Sequence, residues 1–92
     1  MLTPHLWLKT KKIADQTPRK VYFSVSKTVA KKATDRNLLK RRSKAIVRKH
    51  ITEFKKGYIY FFSFKKGADK ASFGELELEI LDLLKKSRIL DF

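Results

Sequence analysis

The 92-residue chain contains no cysteine. That excludes disulfides, thiolate metal sites and a cysteine nucleophile, and it suits a reducing compartment. No apolar run approaches the roughly 20 residues that span a bilayer. The N-terminus, MLTPHLWLKTKK, lacks the charged start and small-residue cleavage site of a signal peptide. A cytoplasmic protein without membrane contact is expected. Acids are also scarce: 9 Asp and Glu stand against 23 Lys and Arg, a formal charge of +14. Self-repulsion of that size opposes a compact fold, so the charge points to a partner: nucleic acid, an anionic membrane surface or an acidic protein. Catalytic constellations are missing as well. There are two histidines, His5 and His50, and no Ser-His-Asp arrangement, Gly-rich phosphate loop or metal-ligand spacing. No catalytic residue, protein metal site or small-molecule substrate is expected.

What is present argues for a folded domain. Hydrophobic residues make up 42% of the chain and include seven Phe, three Tyr and one Trp, too many for plain disorder. Ninety-two residues make one small domain, 1–92, with one modest core. Residues 3–13 alternate loosely, Leu6 and Leu8 against Trp7 and Lys9, as in a half-buried strand. ADQTPRK, residues 14–20, is a turn or loop around Pro18. VYFSVSK, residues 21–27, is β-branched and aromatic, and reads as a second strand antiparallel to the first.

From Thr34 or Asp35, either of which can cap a helix, the period becomes helical. Leu39, Ser43, Ile46, Val47, His50 and Phe54 share one arc, and Asn37, Lys40, Arg41, Lys44 and Arg48 share the opposite one. Gly57 ends this helix. YIYFFSF, residues 58–64, lacks clean alternation and fits a central strand buried on both faces. Ser72 and Glu75 form a capping box for a last helix to about Lys86, with Phe73, Leu76, Ile80, Leu83 and Leu84 inward. RILDF is a candidate short final strand. The expected fold class is α+β: a two-layer sandwich, ββαβα, with two helices packed on a small mixed sheet in which strands two and three are parallel.

The charge is unevenly distributed. Residues 19–49 hold twelve basic residues and a single acid, Asp35, while four of the acids gather in the last helix. A solvated basic face normally carries interspersed acids, so this asymmetry favours a phosphate backbone as partner. No helix-turn-helix or zinc pattern accompanies the basic helix, which argues against a DNA-reading module. Its narrow apolar arc is needed by the sheet, which argues against a membrane-surface helix. KGYIYFFSF is similar to the RNP1 octamer of RNA-recognition motifs and VYFSVS to RNP2, with rings that can stack bases. Ile59 stands where RNP1 has a small residue, however, and a domain this small needs those rings in its core. His50, on the apolar arc, reads as a core or boundary residue, and the carboxylates as solvated surface.

One longer run is more specific. FSVSKTVAKKATDRNLLKRRSKAI resembles the protein subunit of bacterial ribonuclease P: Ser26-Lys27 at the strand end, Lys31 and Ala33 in the connection, then Arg36-Asn37 followed by Lys40-Arg41-Arg42. YIYFFSF and SFGELELEILDLLKK continue the likeness, which covers roughly residues 20–90. The resemblance implies a noncatalytic, RNA-binding subunit of an endoribonuclease, with a left-handed βαβ crossover. Its partners would be ribonuclease P RNA, which cleaves with Mg²⁺ that it mainly holds itself, and precursor tRNA, whose 5′ leader is released. Lys31, Lys32, Arg36, Asn37, Lys40, Arg41, Arg42, Lys44 and Arg48 are then the residues expected to dock on the catalytic RNA. Asn37 would either read a ribose or base edge or tie down the preceding loop. Tyr22, Phe23, Val25 and Lys27 are the residues expected to hold the leader, in a cleft between helix and sheet. Leu38 and Ala30 depart from the family pattern, which has Arg and often Gly there. The family's usual N-terminal helix is not expected in this chain, which starts almost directly with the first strand. The rival reading is a structural RNA-binding protein, a ribosomal component or RNA chaperone, with no part in cleavage. An autonomous nuclease is disfavoured by the missing acid–base pair.

Overall fold

Alternating side chains set the inner face of the first strand. A computed structural model describes residues 2–13 and 20–90, and in it Leu6 and Leu8 of β1 (Leu6–Lys12) are buried while Trp7 and Lys9 point outward. The second strand, β2 (Lys20–Ser24), does not pair with β1. The third, β3 (Tyr58–Phe64), lies between them, antiparallel to β1 and parallel to β2, so the order is β1-β3-β2. β1 and β2 therefore run in opposite directions, as expected, without forming a hairpin. The turn expected around Pro18 lies outside the described residues.

Between β2 and β3 the chain crosses through helix α1 (Ala33–Lys49), and after β3 it ends in helix α2 (Phe73–Leu90). Leu39, Ile46 and Val47 of α1 and Leu76, Ile80, Leu83 and Leu84 of α2 meet Leu6, Leu8, Tyr60, Phe62 and Phe64 in one core. Both helices thus cover the same face of the sheet. Phe54, just beyond α1, packs edge-on against Tyr60, with ring centroids 5.0 Å apart, and against Phe62. The Tyr60 hydroxyl accepts the Lys55 amide at 3.0 Å and so anchors the turn into β3.

Five local expectations need correction. Neither Thr34 nor Asp35 caps α1: both lie inside it, the N-cap is Lys32, and no side chain caps it. Asp35 remains in the first turn, where its charge suits the macrodipole. The helix stops at Lys49, well before Gly57, and a 3-10 turn at Ile51–Glu53 follows. Gly57 instead supplies a positive φ of 82° at the turn into β3. The strand β3 is not buried on both faces, because Tyr60, Phe62 and Phe64 point to the helices while Phe61 is exposed. Its apolar composition hid an alternation that only the packing reveals. Finally, α2 continues as a helix through Leu90, so residues 88–90 form no strand, and Asp91 and Phe92 lie outside the described residues. Phe73 at its start is exposed rather than inward.

The capping box is formed as expected. The Glu75 amide donates to the Ser72 hydroxyl at 3.2 Å, and the Ser72 amide donates back to the Glu75 carboxylate at 3.1 Å. Hydrogen bonds to the carboxylate from Ser72, its backbone amide first and its side chain second, hold the Glu75 carboxyl below its usual range.

Candidate nucleic-acid interface

The helical repeat sorts the cations of α1. At 100° per residue Asn37, Arg41, Lys44 and Arg48 fall within an arc of about 60° and span about 16 Å along the axis. All four are exposed, and no acid lies among them. Lys40 sits between this stripe and the core and is half-buried. Arg42 falls on the far side of the buried arc. It lines a small pocket with Asp35, Leu38, Leu39 and Asp69, away from the outer stripe. Lys27, Lys31 and Lys32, in the connection that leads into α1, are exposed.

Arg36 is placed differently from its neighbours. It is half-buried, and its Nη1 donates to the carbonyls of Ala30 and Lys31, both at 2.9 Å. The loop-tying role considered for Asn37 therefore belongs to Arg36.

The four residues expected to grip a leader are not brought together. Phe23 is stacked on Phe62 at 5.2 Å and on Phe64 at 6.0 Å, on the helix side of the sheet. Val25 also packs against the core. Tyr22 projects from the opposite face, because successive strand residues alternate between faces, and Lys27 lies in the turn three residues beyond the end of β2. Phe23 does border a groove between β2 and α1 with Val21, Lys44, Val47, Arg48 and Ile51.

The sheet face turned away from both helices sets Tyr22, expected from the sequence, beside two rings that the sequence reading did not name as site residues, Trp7 and Phe61. The register places Trp7, Ser63 and Ser24 in one row, Lys9, Phe61 and Tyr22 in the next, and Lys11, Ile59 and Lys20 in the third. Trp7 is 45% exposed, Tyr22 50% and Phe61 39%, so three aromatic rings lie open among three lysines. Tyr22 and Phe61 stack with centroids 5.5 Å apart. Trp7, Lys9, Thr10, Lys11, Phe61 and Ser63 line a shallow depression of about 460 Å³. Open rings beside cations are the materials of a platform for unpaired bases. The available signal was the in-register pairing of the outward residues of β1 with those of β3, which a sequence alone does not state.

The carboxylates of α2 are less free than a solvated surface would make them. Glu79 accepts the His5 amide at 2.7 Å and meets the His5 ring at 2.6 Å. Burial opposes its ionisation, but hydrogen bonds from the His5 ring, Thr3 and the His5 amide outweigh burial and hold its carboxyl below the usual range. Glu77 is likewise lowered, by the His50 ring first and by Lys49 second, at 2.9 and 3.0 Å. His50 is thus a half-buried boundary residue that clips α1 to α2. Among the described residues no group of three or more His, Asp or Glu side chains is placed to hold a metal ion, and no helix is long and apolar enough to cross a membrane.

A family model described as Ribonuclease P matches residues 2–88. This chain belongs to the ribonuclease P protein family. A ribonuclease P protein component of Microcystis aeruginosa is 33% identical over 73 residues, covering 79% of this chain. The chain spans 61% of the length of that relative. The RNase P protein from Thermotoga maritima superposes with a TM-score of 0.83 at 22% identity, over 94% of this chain and 80% of that one. The Staphylococcus aureus RNase P protein gives 0.83 at 16% identity, over 95% and 78%. These two structural likenesses establish the fold: a three-stranded mixed sheet with two helices in the ribonuclease P arrangement.

Proposed function

We propose that this chain is the protein subunit of a ribonuclease P and assists endonucleolytic maturation of tRNA 5′ ends. The outer stripe of α1, Asn37, Arg41, Lys44 and Arg48, docks on the ribonuclease P RNA, with Lys31 and Lys32 extending it. The stripe is the observation that carries the reading: three cations and an amide on one exposed helix face, with no acid to balance them. Arginine forks two phosphate oxygens, and lysine acts as a point charge. Each cation that meets a phosphate releases condensed counterions, so binding falls steeply with salt.

The 5′ leader of precursor tRNA lies over the open sheet face, with unpaired bases on Trp7, Tyr22 and Phe61 and phosphates near Lys9, Lys11 and Lys20. Phe23 and Val25 support this face from beneath, and Lys27 stands at its end. Stacking on rings tolerates any base, as a leader of variable sequence requires. Hydrolysis belongs to the RNA and its bound Mg²⁺, for which the described residues of this chain offer no ligand cluster. The chain's own contribution is to lower the repulsion between two polyanions and to hold the substrate's single-stranded end.

The test is cleavage of a 5′-extended precursor tRNA by a bacterial ribonuclease P RNA at low Mg²⁺, with and without the chain. The expected result is recovery of cleavage at the mature 5′ end, fading as salt rises. RNA binding without any recovery would overturn the subunit reading in favour of a structural RNA-binding protein.

A further inference from the structure

A cation in the first turn of a helix faces the positive end of the macrodipole, so something must hold it there. Arg36 occupies that position in α1, among exposed neighbours, yet it is half-buried. One of its nitrogens, Nη1, donates to two successive carbonyls, Ala30 and Lys31, each at 2.9 Å. The connection from β2 is held at its start, where the amides of Val29 and Ala30 donate to the Ser26 carbonyl at 3.1 and 3.3 Å, and at its end, where the Lys32 carbonyl accepts the amides of Asp35 and Arg36, each at 3.1 Å; between them, among the described residues, the carbonyls of Ala30 and Lys31 are held by Arg36. Its second half runs to Lys32, an N-cap that makes no side-chain cap bond. Arg36 supplies the missing constraint, and what it constrains is the backbone that carries Lys31 and Lys32.

We infer that Arg36 is a positioning residue: its guanidinium sets the strand-to-helix connection so that Lys31 and Lys32 meet the RNA in a preformed arrangement. The inference rests on the reading that this end of α1 docks on RNA. It differs from treating Arg36 as one more phosphate ligand. Without the two carbonyl bonds the lysines keep their charge, but their backbone must be ordered at the moment of binding, which lowers affinity. A lysine at position 36 would keep the charge, but its ammonium ends one bond short of Nη1 and lacks the rigid guanidinium plane that aims that nitrogen at both carbonyls.

A double-mutant cycle separates the two roles. The affinity of a bacterial ribonuclease P RNA transcript is measured for wild type, Arg36→Ala, Lys31→Ala with Lys32→Ala, and all three together, with Arg36→Lys alongside. The expected loss on Arg36→Ala is about tenfold in the wild-type background and less than about twofold once both lysines are gone. Arg36→Lys should not restore binding, and the melting temperature should move little. The same loss in both backgrounds, or restoration by lysine, would show an independent phosphate contact and overturn the inference. Amide exchange on the RNA-free protein gives a reading that does not depend on the RNA. Faster exchange at Asp35, whose amide donates to the Lys32 carbonyl at 3.1 Å, supports the inference in Arg36→Ala, and unchanged exchange there overturns it. Absence of salt-dependent binding by the wild-type chain would count against the docking reading, separately from the exchange result.

Discussion

The two helices of this domain have nearly equal lengths, 17 and 18 residues, and cover the same face of one sheet, yet they use charge in opposite ways. On α2 two of the carboxylates clip the fold: Glu79 holds the lead-in to β1 through His5, and Glu77 holds the end of α1 through His50 and Lys49. On α1 the outer stripe makes no such pairs among the described residues and is exposed. A charge that is paired within the fold serves stability, and a charge that is left over serves a partner. The comparison teaches that net charge alone does not locate an RNA surface. The cations to suspect are those with no bond inside the molecule, and Arg36, which donates to two carbonyls, fails that criterion although it sits in the same basic run.

If the division holds, damage to α2 should harm stability and damage to α1 should harm binding. The largest effect belongs to the core side of α2: Ile80→Ala should destabilise the domain by about 2–5 kcal/mol through the cavity it leaves. Chemical denaturation would read that loss, while the folded fraction keeps its RNA affinity. On the other helix, Arg41→Ala should weaken RNA binding by about 1–3 kcal/mol and reduce the salt slope by about 1, with stability changed by less than about 0.5 kcal/mol. A melting temperature that falls with the affinity would break the comparison.

The open sheet face sharpens it, because this is a second surface with no duty in the core. Trp7→Ala should cost about 1–3 kcal/mol per lost base contact in binding of precursor tRNA that carries a leader. Mature tRNA, measured in parallel, should be unaffected. A smaller effect tests the clip on α2. The Glu79 carboxyl is held below its usual value near 4.5, so its contribution is full above that value and is lost as pH falls through the lower folded value. Glu79→Gln should therefore flatten the fall in melting temperature between about pH 5 and 3. The smallest effect is a gain. Ser43 is fully buried with no partner for its hydroxyl among the described residues, and Ser43→Ala should stabilise by about 1 kcal/mol.

Much of this was legible beforehand where the signal is local. The Ser72–Glu75 box, Leu39, Ser43, Ile46 and Val47 on the inward arc of α1, and Asn37 with the cations at 41, 44 and 48 on the outward arc follow from a fixed helical period and appear in the structure as read, while Lys40 is half-buried and His50 and Phe54 lie beyond the helix. Errors occurred where two meanings share one local pattern. An apolar run such as YIYFFSF does not say which of its rings will face a helix. Thr34 and Asp35 each have capping chemistry, yet neither caps α1, which starts a residue earlier with Lys32 as its N-cap. The capping potential of a residue says nothing about where the chain enters the helix.

Sequence by itself determined that the chain is basic and α+β, that one helix carries much of the charge and that its family is ribonuclease P, because composition, period and motif are properties of neighbours along the chain. Tertiary structure decided which cations are free, which sheet face is open and that Trp7, Tyr22 and Phe61 share it. Those facts depend on β3 entering between β1 and β2, a long-range pairing that places residues 39 to 58 positions apart side by side. Such pairing is set by the burial of the whole core, and no single segment encodes it.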